Sequence, residues 1–372
     1  GEPELRFSVI GAGAMGQEHM WTARNVGRAV VHGLYDPHPP SIESAMKWVD
    51  DPDRVVVYDT LEAACSDPAV DALIIATPNH THCRMLAAAV AANKHVLMEK
   101  PMATTVGDAW RMVEMVRGYD KVVQVGLEYR QKPVYIEAAH EIFERRSVGD
   151  VKLLSIMEHR PPFLNKVGQW NKFSRCSGGT FVEKCCHYFD LFNWYAQSRP
   201  FRVFASGSMA VNFRDFEYDG KRSDILDSGF AVVEFENGIR ACLNLCMFSP
   251  GGAREELIVN GDEGRLCAAD HPKNTLNIQR KDGRPSRDMR VSFPPHIART
   301  GNHSGATYLE HELFLDAVAG KSVSPPTVAE GFWSVVAGAA AEESVRTGEP
   351  VPVGRLLADA GVPTDLPRGE ER

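Results

Sequence analysis

The first stretch of about 130 residues alternates short, almost unbroken apolar runs with longer stretches of helical composition. The apolar runs cover residues 5–11, 29–36, 54–59, 70–78, 95–101 and 121–129. Strands that read as continuous Val, Ile and Leu are buried on both faces, as in a parallel sheet covered by helices. Strict alternation of strand and helix therefore predicts an α/β domain built on a doubly wound parallel sheet.

The pattern changes after about residue 130, where strand-like runs begin to follow one another directly. Asn237-Gly238 lies between two such runs and is a strong signal for a tight hairpin. The segment NGDEGRL predicts another turn. Consecutive hairpins predict a second α/β domain with a largely antiparallel sheet, completed by helices over 305–320 and 328–347. We therefore divide the chain into residues 1–128 and residues 129–372.

Composition excludes several classes of protein. A formal net charge of −8, without a basic stripe, argues against nucleic acid as a partner. No apolar run approaches the roughly 20 residues of a membrane helix, and the first residues show no signal peptide. Eight scattered cysteines without a CxxC pair fit a reducing compartment and no zinc site. We expect a cytoplasmic protein that binds no metal, nucleic acid or membrane.

The segment GAGAMG directly follows the first apolar run and opens a helical stretch. Glycines at this spacing permit a tight turn, close approach of the backbone to a pyrophosphate, and close packing of helix on strand. The helix N-terminus then presents free N–H groups to the phosphates. We expect the whole turn to contact a dinucleotide, through Gly11, Ala12, Gly13, Ala14, Met15 and Gly16.

Asp36 ends the second apolar run, 20 residues after Gly16. A carboxylate at this place can accept hydrogen bonds from both ribose hydroxyls and repels a 2′-phosphate. Residues 37–40, PHPP, offer no Arg to hold such a phosphate. The sequence therefore predicts NAD as the cofactor in preference to NADP.

Thr77, Pro78 and Asn79 end the fourth apolar run. Because ligands bind at the carboxyl ends of the strands in such sheets, we expect these three residues beside the cofactor. His80 and His82 could serve as acid–base groups or metal ligands. Polar helix starts are common, however, and we interpret both histidines as the cap and beginning of the next helix.

Glu99 and Lys100 end the fifth apolar run and precede Pro101. The residue before a proline is disfavoured in a helix, so Lys100 should stay at the ligand edge of the sheet. Its ammonium group can hydrogen-bond a substrate oxygen and favour the alkoxide form. We expect Glu99 and Lys100 to lie beside the cofactor.

The segment GGTFVEKCCHYFD contains two cysteines, a histidine and two carboxylates, and we predict a helix over 181–195. Cys185, Cys186 and His187 could hold a metal, or one thiol could be a nucleophile. Adjacent side chains on a helix point about 100° apart, so the cysteines cannot easily share a metal. Small buried thiols are the common case, and we interpret both as packing residues.

Glu183, His187, Asp190 and Trp194 lie on one stripe of this predicted helix, while most other positions are apolar. A solvent-facing helix would be rich in Lys and Glu, and only Lys184 fits that description. A helix that is apolar almost all round is buried, and a buried polar stripe needs partners or a cleft. We therefore predict that the stripe lines a cleft.

These motifs form an ordered set: GxGxxG after the first strand, ATPN after the fourth, EKP after the fifth, then GG followed by a carboxylate and a histidine four residues later. The set resembles the glucose–fructose oxidoreductase / inositol dehydrogenase / rhizopine catabolism family (Gfo/Idh/MocA), over about residues 5–347. The resemblance implies an N-terminal Rossmann domain and a C-terminal α/β domain with an open, mostly antiparallel sheet. It also implies a homodimer or homotetramer formed through that sheet.

The resemblance further implies an enzyme that transfers a hydride between nicotinamide and a secondary alcohol or ketone of a sugar, inositol or related polyol. It assigns catalytic roles to Lys100, Glu183 and His187. Two departures from the family pattern alter the pocket: Glu183 is one methylene longer than the usual Asp, and Cys185 replaces a smaller residue. The substrate of a relative therefore does not transfer to this chain.

These roles imply a mechanism in which His187 takes the proton of the substrate hydroxyl as hydride leaves the carbon. Lys100 hydrogen-bonds the same or a neighbouring oxygen, and Glu183 holds an adjacent hydroxyl or positions Lys100. Further substrate contacts are predicted for Asp190, Trp170, Asn171, His159 and Arg160.

Two other functions could use the same residues. Some members of the family are NAD-dependent glycosidases, which oxidise, eliminate, hydrate and reduce with no net change in the cofactor. Others are non-catalytic regulators that sense a nucleotide. Accumulation of NADH with polyols distinguishes a dehydrogenase from an NAD-dependent glycosidase. The presence of both Lys100 and His187 argues against a regulator that only senses a nucleotide.

Overall fold

The computed structural model describes residues 5–49, 51–270, 274–300, 303–364 and 366. In this part of the chain, six parallel strands form the first sheet. They are β1 (Leu5–Ile10), β2 (Ala29–Tyr35), β3 (Val56–Val57), β4 (Ala72–Ile75), β5 (His95–Glu99) and β6 (Val123–Gly126), in the spatial order β3-β2-β1-β4-β5-β6.

Five helices alternate with these strands: α1 (Ala14–Val26), α2 (Pro39–Ala45), α3 (Leu61–Ser66), α4 (His82–Ala91) and α5 (Val106–Met115). Alternate residues of a strand enter two different hydrophobic clusters. In β4, Leu73 and Ile75 belong to one cluster, and Ala72 and Ile74 belong to the other. Because successive side chains point to opposite faces, the sheet is buried on both sides, as its unbroken apolar runs predict.

All six strands are shorter than the apolar runs that predict them, and β3, β4 and β6 are shortened most. Both β3 and β6 lie at an edge of the sheet, where a strand has a neighbour on one side only. The helical turn Pro52–Arg54 contains the start of the apolar run at 54–59, and the helical turn Glu128–Gln131 contains the end of the run at 121–129.

The second sheet has nine strands in the described part of the chain. Its strands and the separate hairpin β9–β10 are β7 (Val151–His159), β8 (Pro200–Ser208), β9 (Glu217–Tyr218), β10 (Lys221–Arg222), β11 (Ser228–Phe235), β12 (Arg240–Cys246), β13 (Arg254–Gly261), β14 (Gly264–Ala269), β15 (Thr275–Arg280), β16 (Arg287–Arg290) and β17 (Val351–Pro352). The spatial order is β16-β15-β14-β13-β7-β12-β11-β8-β17, and every pair is antiparallel except β7–β12.

The two hairpins predicted from turn residues are confirmed. Asn237-Gly238 joins β11 to β12, and Gly238 has φ +86°, the left-handed conformation that glycine adopts without strain. The turn in NGDEGRL joins β13 to β14. The predicted fold class is therefore confirmed: a doubly wound parallel sheet followed by a mostly antiparallel one.

Eight further helices follow the first sheet in the described part of the chain. They are α6 (Pro133–Ala139), α7 (Ser174–Ser177), α8 (Thr180–Glu183), α9 (Cys186–Ala196), α10 (Pro295–Ala298), α11 (Ala306–Val318), α12 (Val328–Thr347) and α13 (Val353–Asp359), with shorter helical turns at Met46–Trp48, Asn79–Thr81, His140–Glu144, Val167–Lys172 and His303–Gly305. None of the described helices is both long and apolar enough to cross a membrane. The cytoplasmic location stays a prediction.

The second sheet has one covered face and one open face. Leu154, Val203 and Leu243 point to the covered face, where α9 and α12 pack. On the open face Phe204 is 44% exposed and Phe230 is 57% exposed. The polypeptide therefore leaves an apolar surface uncovered on this sheet.

Helix α11 returns to the first sheet after β16, whereas the last strand of the second sheet, β17, comes later in the chain. Phe314 on this helix is fully buried, and its ring lies 5.9 Å from the ring of Phe7 on β1. The division of the chain into 1–128 and 129–372 stays a prediction, and residues 1–4 and 367–372 lie outside the described residues.

Candidate functional site

The turn between β1 and α1 has the shape of a phosphate-binding loop. Gly11 has φ +96°, and a Cβ there would lie 2.6 Å from the carbonyl oxygen of Ala76. A Cβ on Gly16 would overlap the carbonyl oxygen of Gly11. A Cβ on Gly13 would meet no protein atom within 4 Å, so a ligand can approach the backbone there. Since no side chain caps α1, its first N–H groups are available to an anion, and the turn fits a dinucleotide.

Asp36 is bonded to this turn. Its Oδ2 accepts a hydrogen bond of 2.8 Å from the backbone N–H of Ala12, and its Oδ1 accepts one of 2.8 Å from that of His38. Gln17 donates to the carbonyl oxygen of Ala12 at 2.9 Å and braces the same turn. A carboxylate oxygen has two lone pairs, so both oxygens of Asp36 can still accept from a ribose.

The loop that follows β4 is held by His82. This buried side chain places Nε2 2.9 Å from the carbonyl oxygen of Thr77 and Nδ1 2.9 Å from that of Pro101. It therefore links the loop after β4 to the loop after β5. As predicted, the next helix begins at His82, but His82 does not cap it, because its two ring nitrogens face these carbonyl groups and the helix has no side-chain cap. His80 is exposed.

Glu99 faces α1 from the end of β5. Its Oε1 lies 2.9 Å from Nε2 of His19, and its Oε2 accepts from the backbone N–H of Lys100 at 3.1 Å. Although burial by itself raises the pKa of Glu99, the hydrogen bond and charge of His19 lower it below its ordinary value. Glu99 is therefore an ionised group that connects the EKP segment to the glycine-rich helix.

Lys100 and Asn79 meet Glu183 across the two domains. The ammonium group of Lys100 donates to the backbone carbonyl of Glu183 at 3.0 Å. The amide of Asn79 donates to the Glu183 carboxylate and, at 3.1 Å, to the carbonyl of Ser177. Burial alone lowers the pKa of Lys100, but the surrounding carboxylates, Glu183 first among them, raise it above its ordinary value. Lys100 is therefore held as an ammonium ion in the cleft.

His187 lies in the same cleft as a buried, neutral ring. Its ring stacks on that of Tyr129, with centroids 3.8 Å apart and planes 8° from parallel. Its Nε2 lies 3.5 Å from Oε1 of Glu128, and its Nδ1 has no hydrogen-bond partner among the described residues. Burial, together with the charges of Lys100 and Lys184, lowers the pKa of His187 well below its ordinary value. The ring can therefore accept a proton.

The predicted continuous helix over 181–195 is wrong in one respect. Helix α8 ends at Glu183 and α9 begins at Cys186, with a turn at Lys184 and Cys185 between them. Lys184 is 5% exposed and donates to the hydroxyl of Tyr129 at 2.6 Å, so it marks no solvent face. The turn directs the side chain of Lys184 into the protein, and the periodicity of a regular helix does not predict this burial.

The polar stripe of this segment divides between two environments. Asp190 accepts hydrogen bonds of 2.6 and 2.7 Å from Arg130, which also pairs with Glu330 at 2.8 Å. Trp194 lies 5.3 Å from the same guanidinium group. The side chain of Glu183 contacts Asn79 and its backbone carbonyl contacts Lys100, whereas Asp190 and Trp194 contact Arg130.

The two cysteines are fully buried and unoxidised. Burial raises the pKa of Cys186 to about 12 and that of Cys185 well above its ordinary value. Both therefore stay protonated thiols, and thiols are neither good nucleophiles nor good metal ligands. Throughout the described residues, no three side chains of the metal-binding types lie together as a candidate ion site.

The predicted substrate residues Trp170 and Asn171 lie in the helical turn Val167–Lys172. Asn171 donates to the carbonyl oxygen of Leu164 at 2.9 Å, and the ammonium group of Lys172 donates to the same oxygen at 2.9 Å. Burial lowers the pKa of Lys172 to about 8. Asn171 therefore holds its own loop, and Lys172 is a buried cation that the sequence analysis missed.

The other two predicted substrate residues, His159 and Arg160, lie at the end of β7. Both are partly buried, and Nη1 of Arg160 lies 3.8 Å from Oε1 of Glu158. Sequence analysis also missed Glu128 and Tyr129, which follow β6. Ligands bind at the carboxyl ends of parallel strands, and β6 ends at Gly126, two residues before Glu128. This rule therefore predicts that Glu128 and Tyr129 lie near the ligand.

A dinucleotide turn next to a charged lysine and a neutral histidine, at the carboxyl edge of a doubly wound sheet, defines a nicotinamide-dependent oxidoreductase. The chain belongs to the Gfo/Idh/MocA oxidoreductase family. Residues 5–127 match the family model described as "Oxidoreductase family, NAD-binding Rossmann fold", and residues 141–353 match "Oxidoreductase family, C-terminal alpha/beta domain". The resemblance drawn from the motifs is confirmed, and with it an enzyme family that uses NAD.

Similar proteins include dehydrogenases of inositols and sugars. Myo-inositol 2-dehydrogenase of Thermotoga maritima is 25% identical over 347 residues, which cover 92% of this chain and 96% of that protein. The scyllo-inositol 2-dehydrogenase (NAD(+)) of Bacillus subtilis is 26% identical over 363 residues, which cover 94% and 96%. The structure of levoglucosan dehydrogenase with NADH and levoglucosan has a TM-score of 0.80 and 20% identity, and the match covers 94% of this chain and 100% of that one.

Proposed function

We propose that this protein is an NAD-dependent dehydrogenase that oxidises a secondary alcohol of an inositol, a sugar or a related polyol, or reduces the corresponding ketone. The observation that carries the proposal is the contact of Lys100 with Glu183 at 3.0 Å, with the neutral ring of His187 in the same cleft. The substrates named for the similar dehydrogenases support the class of substrate.

The residues that would hold NAD come from the carboxyl ends of four strands that are neighbours in the sheet, β2, β1, β4 and β5. They are Gly11, Ala12, Gly13, Ala14, Met15, Gly16, Asp36, Thr77, Pro78, Asn79, Glu99 and Lys100. The cofactor supplies the hydride acceptor when bound. The carboxylate of Asp36 and the absence of Arg from residues 37–40 favour NAD over NADP.

The three catalytic residues have distinct tasks in this proposal. Lys100, kept charged by its carboxylate neighbours, donates a hydrogen bond to the reacting oxygen and stabilises negative charge on it. His187 takes the hydroxyl proton. Glu183, fixed by Asn79, binds a neighbouring hydroxyl. Asp190 positions α9 through Arg130, and the substrate contacts proposed around these groups are Trp170, Asn171, His159 and Arg160.

The test is a screen of myo-inositol, scyllo-inositol, levoglucosan, glucose and gluconate, with NADH followed by absorbance. We expect Lys100→Met and His187→Ala to lower kcat at least about 100-fold, the size of a lost general acid–base contribution. The exposed Lys281→Met serves as a matched control and should retain wild-type turnover. Wild-type turnover in both active-site variants would refute the assignment.

The same screen, extended to glycosides and to a measurement of NAD binding, separates the two alternative functions. Cleavage of a glycoside without net NADH would identify an NAD-dependent glycosidase. Tight NAD binding with no turnover of any compound would identify a nucleotide-sensing regulator.

We also infer that a second copy of the chain covers the open face of the second sheet. Phe204 and Val232 are cross-strand neighbours on that face, and Phe230 lies two residues along the same strand as Val232. All three are more than a third exposed. Contiguous apolar surface of this kind is typical of an interface, so a homodimer or homotetramer through this sheet is the proposed assembly.

A further inference from the structure

Glu128 is a buried carboxyl group that the proposed mechanism does not use. It begins the helical turn after β6 and is 5% exposed. Its Oε1 lies 3.5 Å from Nε2 of His187 and 3.6 Å from Nδ1 of His303. One carboxyl oxygen therefore faces two imidazole rings, one deep in the cleft and one with a side chain that is 29% exposed.

Oxidation of an alcohol by NAD releases one proton, which has to leave a buried histidine. The side chain of His187 is 2% exposed, so water has little access to it. Lys100 cannot take the proton, because its raised pKa keeps it charged already. Tyr129 cannot take it either, because its hydroxyl donates to Glu255 and accepts from Lys184.

We propose that Glu128 and His303 carry the proton released by the alcohol substrate from His187 to solvent. This inference rests on the proposed function. The O–H bond of the substrate breaks and its proton goes to His187, while hydride leaves the same carbinol for NAD⁺, giving the carbonyl compound and NADH. His187 then gives its Nε2 proton to Glu128, Glu128 gives a proton to His303, and His303 gives one to water.

The surroundings of Glu128 suit a group that both gains and loses a proton. The charged and titratable groups that face it come from every element packed around it: Glu18 on α1, Glu99 and Lys100 after β5, Cys186 and His187 on α9, His303 before α11, Glu310 on α11, and the adjacent Tyr129. Burial, followed by the charge of Glu99, raises the pKa of Glu128 to about 8. A protonated Glu128 can pass its own proton to His303 as it takes one from His187.

His303 fits the outer end of this path. Burial lowers its pKa to about 3, so at neutral pH its ring is uncharged, and a second ring proton that arrives from Glu128 is released to water. Tyr129 stacks on His187 and lies 5.6 Å from the ring of His303, so a single phenol ring packs against both imidazoles. This packing limits the movement of the rings on either side of Glu128.

The experiment compares the release of the proton with the formation of NADH in the first turnover. Myo-inositol, or the compound of the screen that gives the fastest NADH formation, is mixed with enzyme and NAD⁺ in weak buffer with a pH-indicator dye. In the wild-type enzyme we expect the proton to appear together with NADH. In Glu128→Gln we expect a first-turnover burst of NADH close to wild type, a proton signal delayed at least about tenfold, and a lower steady-state kcat.

Other variants and measurements exclude a merely structural effect. His303→Gln should show the same delay, and Glu144→Gln, which alters an exposed carboxylate 2.7 Å from His140, should show none. An external acid–base buffer such as imidazole should shorten the delay in Glu128→Gln, which a misfolded site would not allow. In the free enzyme, the infrared band of protonated carboxyl groups should be smaller in this variant than in the wild type.

The outcomes separate the two proposals. Proton release together with NADH in Glu128→Gln, or in His303→Gln if the first variant does not fold, overturns the relay and leaves the dehydrogenase in place. Loss of the NADH burst in folded Glu128→Gln also overturns it, because Glu128 would then act on hydride transfer itself. A wild-type enzyme that forms no NADH with any compound overturns both.

Discussion

Lys100 and His187 carry different charges although both lie in one cleft, where Lys100 is partly buried and His187 is buried. Burial by itself disfavours the charged form of either side chain. Carboxylates around Lys100 reverse that effect and raise its pKa, whereas Lys100 and Lys184 add to it at His187 and lower its pKa further. A charged hydrogen-bond donor and a neutral proton acceptor thus lie side by side, as the oxidation of an alcohol requires.

Asp36 leads to a prediction about the choice of cofactor. Asp36→Ala removes the acceptor of two backbone N–H groups and the proposed acceptor of the ribose hydroxyls. Hydrogen bonds to a charged group contribute about 1.5–3 kcal/mol. We expect KM for NAD to rise at least about tenfold and the preference for NAD over NADP to shrink, measured with both cofactors. The exposed Glu43→Gln on α2 should change neither value, and an unchanged preference in Asp36→Ala would contradict the role.

Glu128 leads to a prediction about stability and pH. Its pKa is raised from an ordinary 4.5 to about 8, so between these values the folded protein holds a proton that the unfolded chain has lost. The free energy of unfolding of the wild type should therefore fall as pH rises from 5 to 8, by up to about 1.4 kcal/mol per pH unit from this group. Denaturant titrations should show a shallower fall in Glu128→Gln, and Glu144→Gln should follow the wild type.

Among the elements, α12 leads to a prediction because it approaches α8 unusually closely. A Cβ on Gly338 would lie 2.7 Å from the carbonyl oxygen of Phe181, two residues before Glu183. Gly338→Ala should force the helices apart, lower the free energy of unfolding by about 1–3 kcal/mol, and lower kcat because Glu183 moves.

Gly107 on α5 provides the matched control for this close contact. The atom nearest to a Cβ at Gly107 would be 3.9 Å away, which is ordinary van der Waals contact. Gly107→Ala should therefore cause no loss of stability in urea titrations. Equal stability of the two variants would show that the contact between α12 and α8 is not tight.

The open face of the second sheet leads to a prediction about assembly. Replacing Phe204 and Phe230 together by Lys would place two charges on adjacent strands of the proposed interface. We expect light scattering to give the mass of a monomer for this variant and a multiple of it for the wild type. Tyr218→Lys alters an aromatic residue of similar exposure on the separate hairpin and should leave the wild-type mass unchanged. A double variant with the wild-type mass would place the interface elsewhere.

At the scale of the whole molecule, one hydrophobic cluster joins the two sheets. It contains Met98 and Val125 from the first sheet, Phe332 from α12 and Leu243 from the second sheet. We expect one cooperative thermal transition, with circular dichroism and tryptophan fluorescence giving the same midpoint. NAD at 100 times its Kd should shift the whole transition, since it adds about 2.7 kcal/mol to stability. Two separate transitions would show that the domains unfold independently.

The sequence predicts those features of this molecule that depend on local patterns. The strands follow from unbroken apolar runs, and the glycine turn follows from the spacing of Gly11, Gly13 and Gly16. The contacts of Glu128 with His187 and of Asp190 with Arg130 could not be predicted, because each joins residues about 60 positions apart. The prediction that one polar stripe lines the cleft is confirmed only in part. Glu183 and His187 lie in the cleft with Lys100, whereas Asp190 and Trp194 contact Arg130, because a segment of more than two helical turns extends past one environment into another.

The return of α11 to the first sheet has a consequence for how the protein is made. Phe7 leaves the ribosome some 300 residues before Phe314, against which it packs. Domains that are continuous in the chain can fold while the rest is still being translated. Here the first sheet keeps part of its apolar surface uncovered until α11 has emerged, so its packing is completed only after β7–β16 of the second sheet have been synthesised.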